Sequence, residues 1–171
     1  MKIAMSVESL KEIFFACKPY TSKDKEWFKQ IRLVCSAGRC DATALDGHKV
    51  ITISIPYEGD EGSMHIPIVK VPKEKNVSII QNETEITFDF FTEKQTVKRF
   101  TEEKSFDTQK LFQVEEPQFT INFSPKFLKD ALEGFTDTKS VELSFFGKNK
   151  GIILESEKNK KALVLPYYSI D

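Results

Sequence analysis

The chain has 171 residues, a formal net charge of −1, 40% hydrophobic and 30% charged residues, and 15 Phe against 7 Gly and 7 Pro. That length suits one domain, or one with an elaboration, and makes two ordinary domains tight. The composition excludes extended disorder, and the charge excludes bulk electrostatic attraction to nucleic acid.

Residues 2 to 6 read as a strand, after which Val7, Leu10, Phe14 and Cys17 trace one helical face that Pro19 ends nearby. The linker from Lys18 to Lys29 is modestly basic, and Trp27 and Phe28 at its end are expected to anchor it to the core rather than to stack on bases. From Ile31 to Pro56 the pattern predicts three strands, broken near Ala37-Gly38 and at Asp46-Gly47, the second a common hairpin-turn dipeptide. By itself, Leu45 to Val50 is a tight turn. Tyr57 to Ser63 reads as a solvated acidic loop and Met64 to Val71 as a strand whose end Pro72 demotes. Pro72 to Asn76 is too short and polar for a helix.

A meander is predicted from Val77 to Phe100, its alternation clearest at Ile86, Phe88 and Phe90, and a charged linker from Thr101 to Gln109. Phe119, Ile121 and Phe123 alternate as a half-buried strand would. Ser124 then offers an N-cap oxygen, Pro125 fits the first turn, and Leu128, Ala131, Leu132 and Phe135 form a helical stripe. Ser140 to Ile170 reads as three strands joined by turns that hold Lys148, Lys150, Lys158, Lys160 and Lys161, expected as solubilising features more than phosphate contacts.

The start of the chain aligns on this later stretch without a gap. Ile3 falls on Ile121, Ser6 on Ser124, Leu10 on Leu128, and the Lys11-Glu12 pair on Lys129-Asp130. Ile55-Pro56-Tyr57 and Leu165-Pro166-Tyr167 end similar strand runs. An internal duplication accounts for this; chance similarity of two capped amphipathic helices is the alternative.

Catalytic sets are lacking. The two histidines, His48 and His65, are not at metal-ligand spacing, and no glycine-rich phosphate loop, GxSxG elbow or CxxC pair occurs. Cys17, Cys35 and Cys40 indicate neither a disulfide framework nor a zinc site. No enzyme, metal or cofactor is expected. The N-terminal stretch has no apolar core of signal-peptide length and no run long enough to span a bilayer, so a cytoplasmic protein without membrane contact is expected.

FSPKFLKDAL, at Phe123 to Leu132, followed by short strands ending in LVLPYYS, resembles the last part of the bacterial DNA polymerase III beta subunit, the sliding clamp. ATALDGHKV, at Ala42 to Val50, is similar to the clamp's middle-domain segment that reads roughly A-T-D-G-H-R-L. The resemblance implies an α+β, DNA clamp-like fold of duplicated β-α-β-β-β units, with two helices on one face of curved antiparallel sheets. On this reading residues 1–171 form a single clamp-like unit: a first half at 1–71, an inserted meander and linker at 72–116, and a second half at 117–171.

The function implied is that of a DNA polymerase processivity factor, acting by encirclement of double-stranded DNA, by binding polymerase or clamp-loader peptides, or both. Encirclement would require self-association, with exposed sheet edges as joints. The resemblance carries the clamp's peptide cleft onto Leu45, Gly47, His48, Lys49 and Val50 and, opposite, Leu163, Leu165, Pro166 and Tyr167; Tyr167 and Tyr168 depart from the family's usual residues there. It makes Lys11, Lys18, Lys126 and Lys129 the DNA-facing residues. Alternatives are a monomeric adaptor or decoy that keeps the cleft alone, and an unrelated β-rich interaction domain.

Overall fold

The structure, a computed structural model, describes residues 1–22, 26–100 and 116–167. The stretch read as a charged linker, and Tyr168, lie outside them. The chain divides into two compact units, residues 1–108 and 109–171.

The first unit begins as its periodicity predicts. Strand β1 (Lys2–Ser6) runs into helix α1 (Val7–Cys17), where the Ser6 hydroxyl caps the helix by accepting from the Ser9 N–H at 3.0 Å. Val7, Leu10, Ile13, Phe14 and Cys17 are its buried face. Two 3-10 turns, Lys18–Tyr20 and Glu26–Lys29, carry the chain to a hairpin pair, β2 (Gln30–Ser36), β3 (Arg39–Leu45) and β4 (Val50–Pro56). The breaks at Ala37-Gly38 and Asp46-Gly47 fall where the turn residues place them. Phe28 is buried and stacked on Trp27, the anchoring role read from the sequence.

Residues 57 to 63 depart from the expected solvated loop. Glu58–Gly59 is a two-residue strand, β5, paired with β1, and β6 (Gly62–Pro67) follows at once. The Asp60 carboxylate accepts from the Lys2 N–H at 2.7 Å and Glu61 from the Ala37 N–H at 3.0 Å. These carboxylates hold backbone donors that β1 and the β2–β3 turn leave open. β6 stops at Pro67, four residues short of the expected end.

The predicted meander is β7 (Asn76–Gln81), β8 (Glu85–Asp89) and β9 (Lys94–Lys98). It supplies three strands of a five-stranded antiparallel sheet, β5-β1-β7-β8-β9, and the other sheet of the unit runs β4-β3-β2-β6. The two sheets and α1 enclose one core that includes Ile3, Leu10, Leu33, Ile66, Ile79, Phe88 and Phe90. Burial of each such side chain contributes roughly 1.5–3 kcal/mol.

In the second unit, helix α2 (Pro125–Glu133) is capped by Ser124, which accepts from the Phe127 N–H at 3.5 Å. It is followed by the antiparallel meander β10 (Glu142–Phe145), β11 (Ile152–Glu155) and β12 (Lys161–Val164). A small core of Phe135, Ile152, Leu154 and Val164 takes Leu128 and Ala131 of the stripe against it. Leu132 stays 39% exposed. The expected strand over Phe119 to Phe123 joins no ladder among the described residues; Phe123 packs against the small core, and the Tyr167 N–H donates to the Asn122 carbonyl at 2.7 Å.

The duplication read from the alignment has structural counterparts. Ser6 and Ser124 both cap helices, buried Cys17 corresponds to buried Phe135, and each helix leads to a three-stranded antiparallel meander.

Candidate functional site

In the first unit, the turn from Leu45 to Val50 closes the β3–β4 hairpin, with Leu45 opposite Val50 in the ladder. Asp46 organises it: Oδ1 accepts from the N–H groups of His48 at 3.0 Å and Lys49 at 3.1 Å, and the Asp46 N–H donates to the Lys49 carbonyl. The His48 N–H, with Lys49 adding to it, holds the Asp46 carboxyl below its usual pKa. Gly47 takes a φ of +95° beside the Phe28 ring, where a β-carbon would be 3.7 Å away. Left-handed backbone of this kind favours glycine. The Lys49 ammonium lies 3.5 Å from Asp46 Oδ2 and 5.5 Å from the centre of the Tyr20 ring. The result is a stiff turn that exposes Gly47, His48 and Lys49 and keeps Leu45 and Val50 half-buried.

In the second unit, Leu163, Leu165, Pro166 and Tyr167 come together with Phe127, Ala131 and Val164 around an open groove of about 320 Å³. It forms because α2 packs on the meander through Leu128 and Ala131, which leaves Phe127 60% exposed beside the chain that follows β12. Leu165 and Tyr167 are 67% and 58% exposed. The Tyr167–Asn122 hydrogen bond tethers the end of that wall. Apolar walls with one phenol and a few backbone groups suit apolar side chains of an extended ligand. Phe127 was not among the expected groove residues. Its one signal in the sequence is an aromatic in the first helical turn, off the Leu128–Ala131 stripe.

The first unit has a hollow that shares three of these positions. This hollow of about 460 Å³ is lined by Ser6, Ser9, Pro56 and Tyr57 among others, and Ser9, Pro56 and Tyr57 correspond to Phe127, Pro166 and Tyr167. Its serines are spent on the helix cap and on each other, hydroxyl to hydroxyl at 2.9 Å. The second groove is the more apolar because phenylalanine stands where the first has serine.

Lys11 and Lys18 are exposed at α1, with Glu8 and Glu12 on the same helix, and Lys126 and Lys129 are exposed on α2. Lys129 lies 3.7 Å from Glu133 one turn on. Of the turn lysines, Lys158 and Lys160 pair with Asp137 at 3.2 and 2.6 Å, and Lys161 pairs with Glu155. They tie the β11–β12 turn to the end of α2. Among the described residues no group of three or more His, Cys, Asp or Glu is placed to hold a metal ion, and no helix is long and apolar enough to cross a membrane. The three cysteines are free and buried. Burial pushes the Cys17 thiol up to about 11, and the hydrogen bond to Cys35, then burial, push Cys40 up as well. Buried thiols held protonated are poor nucleophiles.

No protein-family model matches the sequence, and no curated protein matches it. Solved structures do. The DNA polymerase III beta chain of Streptococcus pneumoniae superposes with a TM-score of 0.77 at 15% identity, over 98% of this chain and 50% of that one. A DNA polymerase sliding clamp of Pseudomonas aeruginosa, solved with ligand, gives 0.79 at 12% identity over 100% and 52%. The Helicobacter pylori beta clamp in complex with 3,4-difluorobenzamide gives 0.70 at 14% identity, again over 100% and 52%. The chain therefore has the α+β sliding-clamp fold, and it spans about half the length of these clamp chains.

Proposed function

We propose that the protein is a non-enzymatic, sliding-clamp-like factor of DNA replication that docks a short apolar segment of a polymerase or clamp loader. The observation that carries the reading is the second-unit groove, whose exposed apolar walls include Leu163, Leu165, Pro166 and Tyr167, with Phe127 added to them. The His48-Lys49 turn of the first unit is the other docking element, offering an imidazole and an ammonium on a braced hairpin. A cytoplasmic location goes with this reading.

Contact with double-stranded DNA runs through Lys11, Lys18, Lys126 and Lys129. Acidic neighbours and the net charge of −1 make that contact loose, salt-sensitive and indifferent to sequence. Enclosing a duplex requires more than one chain.

The test is fluorescence anisotropy with a labelled peptide copied from the clamp-docking segment of a bacterial replicative polymerase. Binding that a scrambled peptide lacks, and that Leu165→Asp abolishes while Leu143→Asp does not, is expected. Equal binding of the scrambled peptide would sink the groove. Peptide binding without retention on circular DNA would leave an adaptor in place of a clamp.

A further inference from the structure

In the first unit each meander takes an additional strand from the opposite motif. β1 leads into α1 and the β2-β3-β4 meander, yet it pairs antiparallel with β7, the first strand of the other meander. β6, which precedes β7-β8-β9, pairs antiparallel with β2, the first strand of the first meander. The exchange is reciprocal, and it welds the two motifs into one core.

The second unit shows one such motif with both exchange sites open among the described residues. Phe119 to Phe123 aligns with β1. In β1, Ala4 faces Glu58 of β5 on one side while the strand pairs with β7 on the other. Asn122, the residue aligned with Ala4, accepts the Tyr167 N–H, and Tyr167 aligns with Tyr57 just before β5. The β5-like side of the segment thus holds that bond, and the β7-like side carries no ladder among the described residues. In the meander, β10 is the first strand and a sheet edge. Leu143 and Phe145 stand opposite buried Leu154 and Ile152, on the face that α2 covers, yet are 41% and 52% exposed. An apolar edge strand with open backbone groups is a template for another strand.

We infer that a second copy of this chain completes the unit: Phe119–Phe123 of each copy adds antiparallel to β10 of the other, about a two-fold axis. The occupant is a second copy because the exchange in the first unit joins two motifs through their opening strands and first meander strands, and both of those parts are present here. Isologous pairing satisfies both open sites at once. The inference rests on strand pairing and not on the peptide groove, which is built on β12 at the opposite edge of the sheet.

The experiment is light scattering of the 171-residue chain from low micromolar to near-millimolar concentration, with amide hydrogen exchange read at both ends of that range. A monomer–dimer equilibrium is expected, with amides of β10 and of residues 119–123 gaining protection as dimer forms. Ile121→Pro removes a donor from the open side of the segment, and Phe145→Ser trims an exposed side chain; neither disturbs a contact of the monomer core. Each should weaken dimerisation by about tenfold or more, the equivalent of one lost ladder bond or apolar contact. Unchanged exchange of the β11 and α2 amides in the monomer shows that the second unit of each variant is folded. A chain that stays monomeric throughout overturns the inference. So does a dimer that both variants leave intact, or β10 protection already present in the monomer.

Discussion

Gly59 lies so close to the Lys2 carbonyl that a β-carbon there would come within 2.4 Å of the oxygen, at a φ of +123°. Position and dihedral both demand glycine, and the contact seats β5 on β1. Gly59→Ala should destabilise the first unit by about 2–3 kcal/mol, the cost of a strained residue plus the displaced pairing. Trp27 is the chain's one tryptophan and lies in this unit, so urea unfolding followed by its fluorescence reports the loss. An unchanged midpoint would contradict the geometry.

The two helix caps differ in quality, and their removal should differ likewise. Ser6 accepts at 3.0 Å and Ser124 at 3.5 Å, the limit of a useful bond. Ser6→Ala should cost about 1 kcal/mol, and Ser124→Ala distinctly less. Hydrogen exchange in the first turn of each helix separates the two effects within single molecules.

His65 stands opposite Arg32 in the β2–β6 ladder and is half-buried. Burial first, then the charges of Arg32 and Arg99, hold its imidazole below the ordinary value of 6.5. The unfolded chain therefore takes the proton more readily than the folded one. Stability is full above about pH 6.5 and declines as pH falls from there through the folded value. His65→Gln should flatten this decline in thermal melts of the first unit; an equally steep decline in the variant would refute the assignment.

Asp137 receives hydrogen bonds from Lys160 and Lys158, which together hold its carboxyl at about 2, below the usual 3.8. Its contribution is present above about pH 4 and lost as pH falls from there through about 2. Because the cluster is exposed, the effect on neutral-pH stability should be slight. Asp137→Asn should erase the acid-limb dependence and speed exchange in the β11–β12 turn, where Lys160 also donates to the Gly134 carbonyl at 2.8 Å.

The sequence by itself determined the local elements: β1 into α1 behind the Ser6 cap, the hairpins at Ala37-Gly38 and Asp46-Gly47, the meander from Asn76 to Lys98, and the repeat that aligns Ile3 on Ile121. Cap oxygens, turn residues and apolar periods act over a few positions, so they can be read without the fold. The LDGHK and LVLPY segments were legible as possible docking residues only through resemblance, since exposed leucines and a braced turn look the same in a sequence as buried ones and an ordinary hairpin. Tertiary structure alone decided which strand pairs with which. Alternation in Phe119–Phe123 is as good as in Lys2–Ser6, yet among the described residues only the second finds a ladder, because its partner strand is supplied by a residue run far along the chain. The same non-local choice puts Phe127 beside Leu165 and pairs Lys158 and Lys160 with Asp137 at the surface, three placements that depend on side chains meeting across the fold and leave no period behind.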